Sequence, residues 1–191
     1  MSDEGEKILK TKFIKLANTD FQVFPNVVGN YLPKKKELVI DFMLFPKEHL
    51  INAGFDPVWF GVEVKHFGIS GETGKMSRFI WQCITYTQSM FKIDNSFEIP
   101  PFVLGFSDVE DVNPEKNDCF NQNYRSQWIG MLRVASFPHV GMFYEVPPTE
   151  RKPLGGWKIF FSSSLYFRRT GDEYERTNYN PFKENIGNCA N

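Results

Sequence analysis

Two features of the sequence predict a layered α/β or α+β domain built around one sheet. Segments of helical periodicity are interleaved with short apolar runs, and from the N-terminus these follow the order helix, three strands, helix, strand. The length, 191 residues, suits one domain with a sizeable core, and 41% hydrophobic with 24% charged residues is ordinary for a globular chain.

Each element has its own signal. In "EGEKILKTKFIKLA", Ile8, Leu9, Phe13 and Leu16 form one helical stripe among lysines. "FQVFPNVVGNYL" reads as a strand interrupted at Pro25 and closed by a Gly29–Asn30 turn. "ELVIDFMLF" is a continuous apolar run with a single acid, Asp41, the pattern of an inner strand covered on both faces. "PKEHLINAGFDP" reads as a long loop or short helix, and "VWFGVEVK" as the next strand. After the Gly-rich "GISGETGK", the segment "MSRFIWQCITYTQSMF" is the strongest helix signal. "FVLGFSD" is a further strand, "YRSQWIGMLRVAS" a second amphipathic helix, and "GMFYEVP" with "WKIFFSSSLYF" a closing pair of strands. From Arg168 onward the polar composition predicts a loosely held tail.

Composition narrows the function. The formal charge is −1, so attraction of an anionic polymer has to come from a local basic patch rather than a global field. Aromatic residues reach 16%, with 20 Phe, which suits a thick core or a base-stacking surface. Cys83, Cys119 and Cys189 lie far apart, giving no metal-binding cysteine pair and no disulfide framework. The charged start, "MSDEGEKILKTK", is unlike a signal peptide, and no apolar run reaches the roughly 18 residues of a membrane span. A cytoplasmic protein without membrane contact is the expectation.

The chemistry-bearing residues sit on the two inner strands. Side chains alternate along a strand, so Trp59, Gly61, Glu63 and Lys65 share one face and Phe60, Val62 and Val64 the other. Asp41 lies between Ile40 and Phe42, and an acid in that setting needs a partner or a metal. Glu63 and Lys65 could form a solvent-facing pair with Asp41 capped locally. Alternatively, two carboxylates on neighbouring strands, about 5 Å apart, could hold Mg2+ while the lysine serves an attacking water in phosphodiester hydrolysis. In the helix that follows, Gln82 and Tyr86 are four residues apart with Arg78 one turn earlier, a polar stripe that is either solvated or turned to a site.

Taken together, the element order, "ID" at 40–41, "EVK" at 63–65 and "QCITY" at 82–86 resemble the PD-(D/E)XK nuclease superfamily. Within it they are most similar to the RecB-like branch with a QxxxY motif. The resemblance spans about residues 4–107 and implies an α/β, restriction-endonuclease-like core, a central mixed β-sheet flanked by helices. It divides the chain into a nuclease domain over 1–167, with additions over 108–167, and a C-terminal tail over 168–191. It makes Asp41, Glu63 and the backbone carbonyl of Val64 ligands of Mg2+ or a substituting Mn2+, with Glu6 of the first helix a further candidate. Lys65 becomes the catalytic lysine, and Gln82 and Tyr86 position the nucleic acid or the site network. The implied activity is Mg2+-dependent cleavage of DNA, endo- or exonucleolytic, by a stand-alone nuclease of a virus, mobile element or repair system. Three departures stand out: Ile40 replaces the proline of the motif, the stretch from Asp41 to Glu63 is long, and the cluster cysteines of some RecB-like members are missing.

Other readings accompany this one. Lys158, Arg168 and Arg169 lie among aromatics and could clamp a strand, or could belong to an amphipathic strand with a basic turn. Arg78 joins them as a candidate nucleic-acid contact. His49, His66 and His139 show no metal-ligand spacing, and His66 should point away from Lys65. The alternative function is a catalytically inactive module that binds nucleic acid or protein on the same fold. A structural partner in a homo-oligomer or larger complex is a third reading.

Overall fold

The computed structural model of the protein describes residues 4–67, 73–108, 139–150, 153–161 and 164–182. Three helices are described: α1 (Glu4–Ala17), the one-turn α2 (Glu48–Asn52) and α3 (Thr73–Thr87). The strands are β1 (Phe21–Tyr31), β2 (Lys36–Pro46), β3 (Phe60–Lys65), β4 (Ser89–Ile93) and β5 (Ser96–Glu98). They continue with β6 (Val103–Ser107), β7 (Val140–Val146), β8 (Gly156–Phe161), β9 (Ser164–Thr170) and β10 (Glu173–Arg176). All ten form one open mixed sheet in the order β10-β9-β8-β7-β6-β3-β2-β1-β4-β5. The pairs β3–β6 and β6–β7 are parallel and the others antiparallel. The protein is therefore α/β, with a large sheet and, among the described residues, few helices, none of them long and apolar enough to cross a membrane.

Alternation along the strands builds a core on each face. Phe42, Leu44, Val62, Val64, Leu104 and Phe106 pack with Leu9, Phe13 and Ala17 of α1. Ile40, Met43, Val103 and Met142 pack with Phe79, Ile80, Cys83 and Ile84 of α3. Phe13 anchors α1, with its ring 5.1 Å from those of Phe42 and Phe106 and 5.3 Å from Phe143. Burying one such side chain stabilises by about 1.5–3 kcal/mol. The stripe is thus Leu9, Phe13 and Ala17; Ile8, expected on it, is exposed.

Several expectations are corrected. The chain does not turn at Gly29–Asn30. β1 runs on to Tyr31 and reverses at 32–35, where Lys35 has φ 50°. Gly29 is needed because β4 pairs beside it, with Phe91 opposite: a Cβ would lie 2.5 Å from the Phe91 ring. The apolar end of the α3 segment leaves the helix to form β4, which returns to β1 and turns at Asp94, φ 49°, into β5. "WKIFFSSSLYF" is two strands, β8 and β9, rather than one. The boundary at 167 falls inside β9. Residues 168–170 complete that strand and 173–176 are β10, so this part of the expected tail belongs to the sheet. Here Arg168 pairs with Glu175 and Tyr174 packs on the core, contacts that a polar composition does not reveal. The expected helix over 124–136 lies outside the described residues, as do Cys119 and Cys189.

Candidate active site

The site forms where two strands part. The antiparallel ladder between β2 and β3 ends at Phe42–Val62, one residue before Asp41 and Glu63 would pair. On its other side, Asp41 faces Asn26, whose φ of 51° interrupts the β1–β2 ladder. The Asp41 carboxylate substitutes for the missing bonds: its Oδ2 accepts the Val64 N–H at 2.9 Å. β3 meanwhile stays paired to β6, with Glu63 opposite Gly105 and Lys65 opposite Ser107. Asp41, Glu63 and Lys65 are thereby brought to one fork.

Glu63 is 7% exposed, and its Oε2 is buried with no hydrogen-bond partner. Burial, reinforced by the charge of Asp41, pushes its carboxyl up to about 8. Below it, the Cys83 thiol is pushed up by burial and then by the Glu63 charge. The Tyr86 phenol is raised for the same two reasons in the same order. An electron-rich, desolvated pocket of this kind favours either a proton or a cation.

The first turns of α1 complete the cluster. Lys10 Nζ lies 2.6 Å from Asp41 Oδ1 and 3.3 Å from Glu6 Oε1, while Lys65 Nζ lies 2.9 Å from Glu6 Oε2. Glu6, the first-helix candidate, does reach the site, but it contacts the two lysines. Burial opposes ionisation of Glu6, and the two lysines outweigh it, holding its carboxyl below the ordinary value. α1 can come this close because residue 5 is glycine: a Cβ there would lie 2.3 Å from the His66 ring. Its Nδ1 lies 3.0 Å from Asp108 Oδ2 without making a hydrogen bond.

The helix motif divides. Arg78 and Gln82 are exposed on α3, whereas Tyr86 is buried and donates its hydroxyl to the Val39 carbonyl at 3.0 Å. The expected single polar stripe is therefore two environments. Four residues advance a helix by 400°, so Tyr86 is rotated about 40° from Gln82, enough to tuck its ring against Phe91. Arg78, Gln82, Tyr86 and Lys65 nonetheless share one cleft with Tyr31, Lys36 and Trp81.

Lys158, Arg168 and Arg169 are not part of this cluster. They lie on β8 and β9, three and four strands from β3, roughly 14–19 Å away at the usual spacing. Lys158 sits over the Phe160 ring, Arg168 pairs with Glu175, and Arg169 Nη1 lies 3.0 Å from the buried Asp20. Sequence reasoning missed Lys10. The signal was present in its position four residues after Glu6, but its second partner, Asp41, comes from another element.

The donor set bears directly on metal binding. Among the described residues no three His, Cys, Asp or Glu side chains gather as a metal-binding group. What the fork offers is two carboxylates, one with an unpartnered buried oxygen, and neighbouring backbone. These are hard oxygen donors, which suit Mg2+ or Mn2+ in a shell completed by water or substrate. No protein-family model, curated protein or solved structure matches the chain.

Proposed function

We propose that the protein is a Mg2+-dependent nuclease that hydrolyses DNA phosphodiester bonds on a restriction-endonuclease-like core. The observation that supports this most is the meeting of Asp41, Glu63 and Lys65 at the fork of β2 and β3, with a buried carboxylate oxygen left unpartnered. Asp41, Glu63 and the Val64 carbonyl would hold Mg2+ or Mn2+. When bound, the ion polarises a phosphoryl oxygen and acidifies a water. Lys65, oriented by Glu6, donates hydrogen bonds to the attacking water and to developing negative charge. Gln82 meets the substrate from α3, and Tyr86 braces the wall beside Glu63.

The decisive experiment is incubation of end-labelled linear and circular DNA with the protein, in Mg2+ or in chelator. The expected result is metal-dependent cleavage that Asp41→Asn, Glu63→Gln and Lys65→Ala each reduce by about a hundredfold or more. Cleavage that survives chelation, or a Lys65→Ala variant near the wild-type rate, would sink the reading.

The Lys10 ammonium favours a second reading, a nucleic-acid- or protein-binding module without catalysis, because it already neutralises Asp41. The two readings diverge in metal titration. A nuclease binds Mn2+ at Asp41 and Glu63, with Lys10 giving way; a binding module shows no site that Asp41→Asn removes.

A further inference from the structure

A cleft of about 750 Å3 lies between α3 and the end of the β1–β2 hairpin. Its wall carries Tyr31 and Lys36 from the hairpin, Arg78, Trp81 and Gln82 from α3, and Lys65 from the candidate site. Among the described residues of this wall, Lys36, Arg78 and Lys65 stand with one acid, Glu37, and Lys65 is also paired with Glu6.

Trp81 is the unusual member. It is 62% exposed, although neighbouring positions on either side in the same helix bury Phe79, Ile80, Cys83 and Ile84. An exposed indole beside cations suits a ligand that is planar, aromatic and anionic. A nucleic-acid strand meets all three requirements, with bases for the rings and phosphates for Lys36 and Arg78. Duplex DNA does not, since its base faces are stacked on one another and only their edges reach the grooves. Stacking on Trp81 thus requires an unpaired base.

We propose that this cleft binds single-stranded DNA, with a base stacked on Trp81 and the backbone on Lys36 and Arg78. Because Lys65 belongs to the same wall, the strand leads to the fork of Asp41 and Glu63. The substrate is then a single-stranded end or overhang rather than intact duplex. The choice of DNA and this last step rest on the nuclease reading; the stacking of an unpaired base on Trp81 does not.

The test is fluorescence anisotropy of labelled oligothymidylate with the full chain in chelator, beside a duplex and an oligouridylate of the same length. Oligothymidylate should bind tightest and quench tryptophan emission. Trp81→Ala should weaken it about five- to a hundredfold, the range spanned by base–aromatic stacking, while Trp81→Phe retains most of the affinity. Lys36→Ala should lower the salt dependence of binding. Equal or tighter binding of duplex or oligouridylate would overturn the proposal, and so would a neutral Trp81→Ala. Cleavage by Asp41→Asn is scored separately. If it remains near wild type while Trp81→Ala loses binding, the nuclease reading fails and the cleft assignment stands. If Asp41→Asn abolishes cleavage while Trp81→Ala changes nothing, the reverse holds.

Discussion

At Glu63, burial and the nearby Asp41 raise the carboxyl from 4.5 to about 8, which makes the site a pH-dependent burden on the fold. Between those values the folded chain holds a proton that the unfolded chain has released. Stability therefore falls as pH rises through this window. In chelator, the wild-type melting temperature should decline from about pH 4.5 to 8, and Glu63→Gln should flatten that decline in a melting series. A variant with the wild-type slope would show that Glu63 is not the titrating group. Tyr86 makes a second prediction at this scale. Tyr86→Phe leaves the Val39 carbonyl without its donor, costing about 1 kcal/mol, whereas exposed Gln82→Ala should leave the melting temperature unmoved. The sequence spacing placed both residues on one helix face, and Gln82 is where that spacing puts it. Tyr86 is not, because aromatic size and the 40° rotation favour burial, which an i, i+4 rule does not weigh.

Among the elements, the inner strands were legible because they are continuous apolar runs, and Asp41 and Glu63 stand out within them. α1 was legible as a stripe. Its functional face was not, since Glu6 and Lys10 acquire meaning only beside Asp41 and Lys65, 31 and 59 residues away in the chain. The β4–β5 hairpin was hidden by its apolar start, which continues the α3 pattern, and by a turn that uses Asp94 rather than glycine. The position of α1 can be tested through Gly5. In Gly5→Ala, the added methyl meets the His66 ring, so the ring and the first turn of α1 must part, and the share taken up by the helix moves Glu6 away from Lys65. Alanine favours helix, and Phe13 still anchors the core, so the melting temperature should change little. Cleavage in the presence of Mg2+ should fall about tenfold or more, as expected when a positioning contact is displaced. Full activity in Gly5→Ala would mean that the His66 ring takes up the shift or that Glu6 does not orient Lys65.

For the whole molecule, the long sheet raises a mechanical question: what ties β8, β9 and β10 to the half that carries the fork? Hydrogen-bonded ladders run through β7 and β6, and two buried or half-buried acids add side-chain ties: Asp56, which accepts from Tyr166 of β9 and pairs with Arg176 of β10, and Asp20, in the turn between α1 and β1. It is fully buried, and four donors surround it from separate parts of the fold. Trp157 Nε1–H of β8 donates to Oδ2 at 2.7 Å, and Arg169 of β9 reaches the same oxygen at 3.0 Å. On Oδ1, the Tyr174 hydroxyl of β10 lies at 3.2 Å and His49 Nε2 of α2 at 3.0 Å. Nothing local in "ANTDF" announces this role, since all four partners come from elsewhere in the chain. The hub also explains why Arg169, legible only as a surface cation, is fixed inside the structure. Removing one member of a buried ion pair leaves the other charge uncompensated, typically at a cost of about 3–5 kcal/mol. Asp20→Asn keeps the shape and one acceptor for Trp157 but strands Arg169, so its unfolding free energy, read from denaturant titration, should drop by that order. Asp20→Asn combined with Arg169→Met should recover part of the loss, because the stranded charge is then gone. If the hub is only structural, metal affinity per folded molecule should stay at the wild-type value in both variants. Additive losses in the double variant would mean that Asp20 and Arg169 stabilise the fold independently, and that the far strands are held by their ladders, the Asp56 contacts and aromatic packing instead.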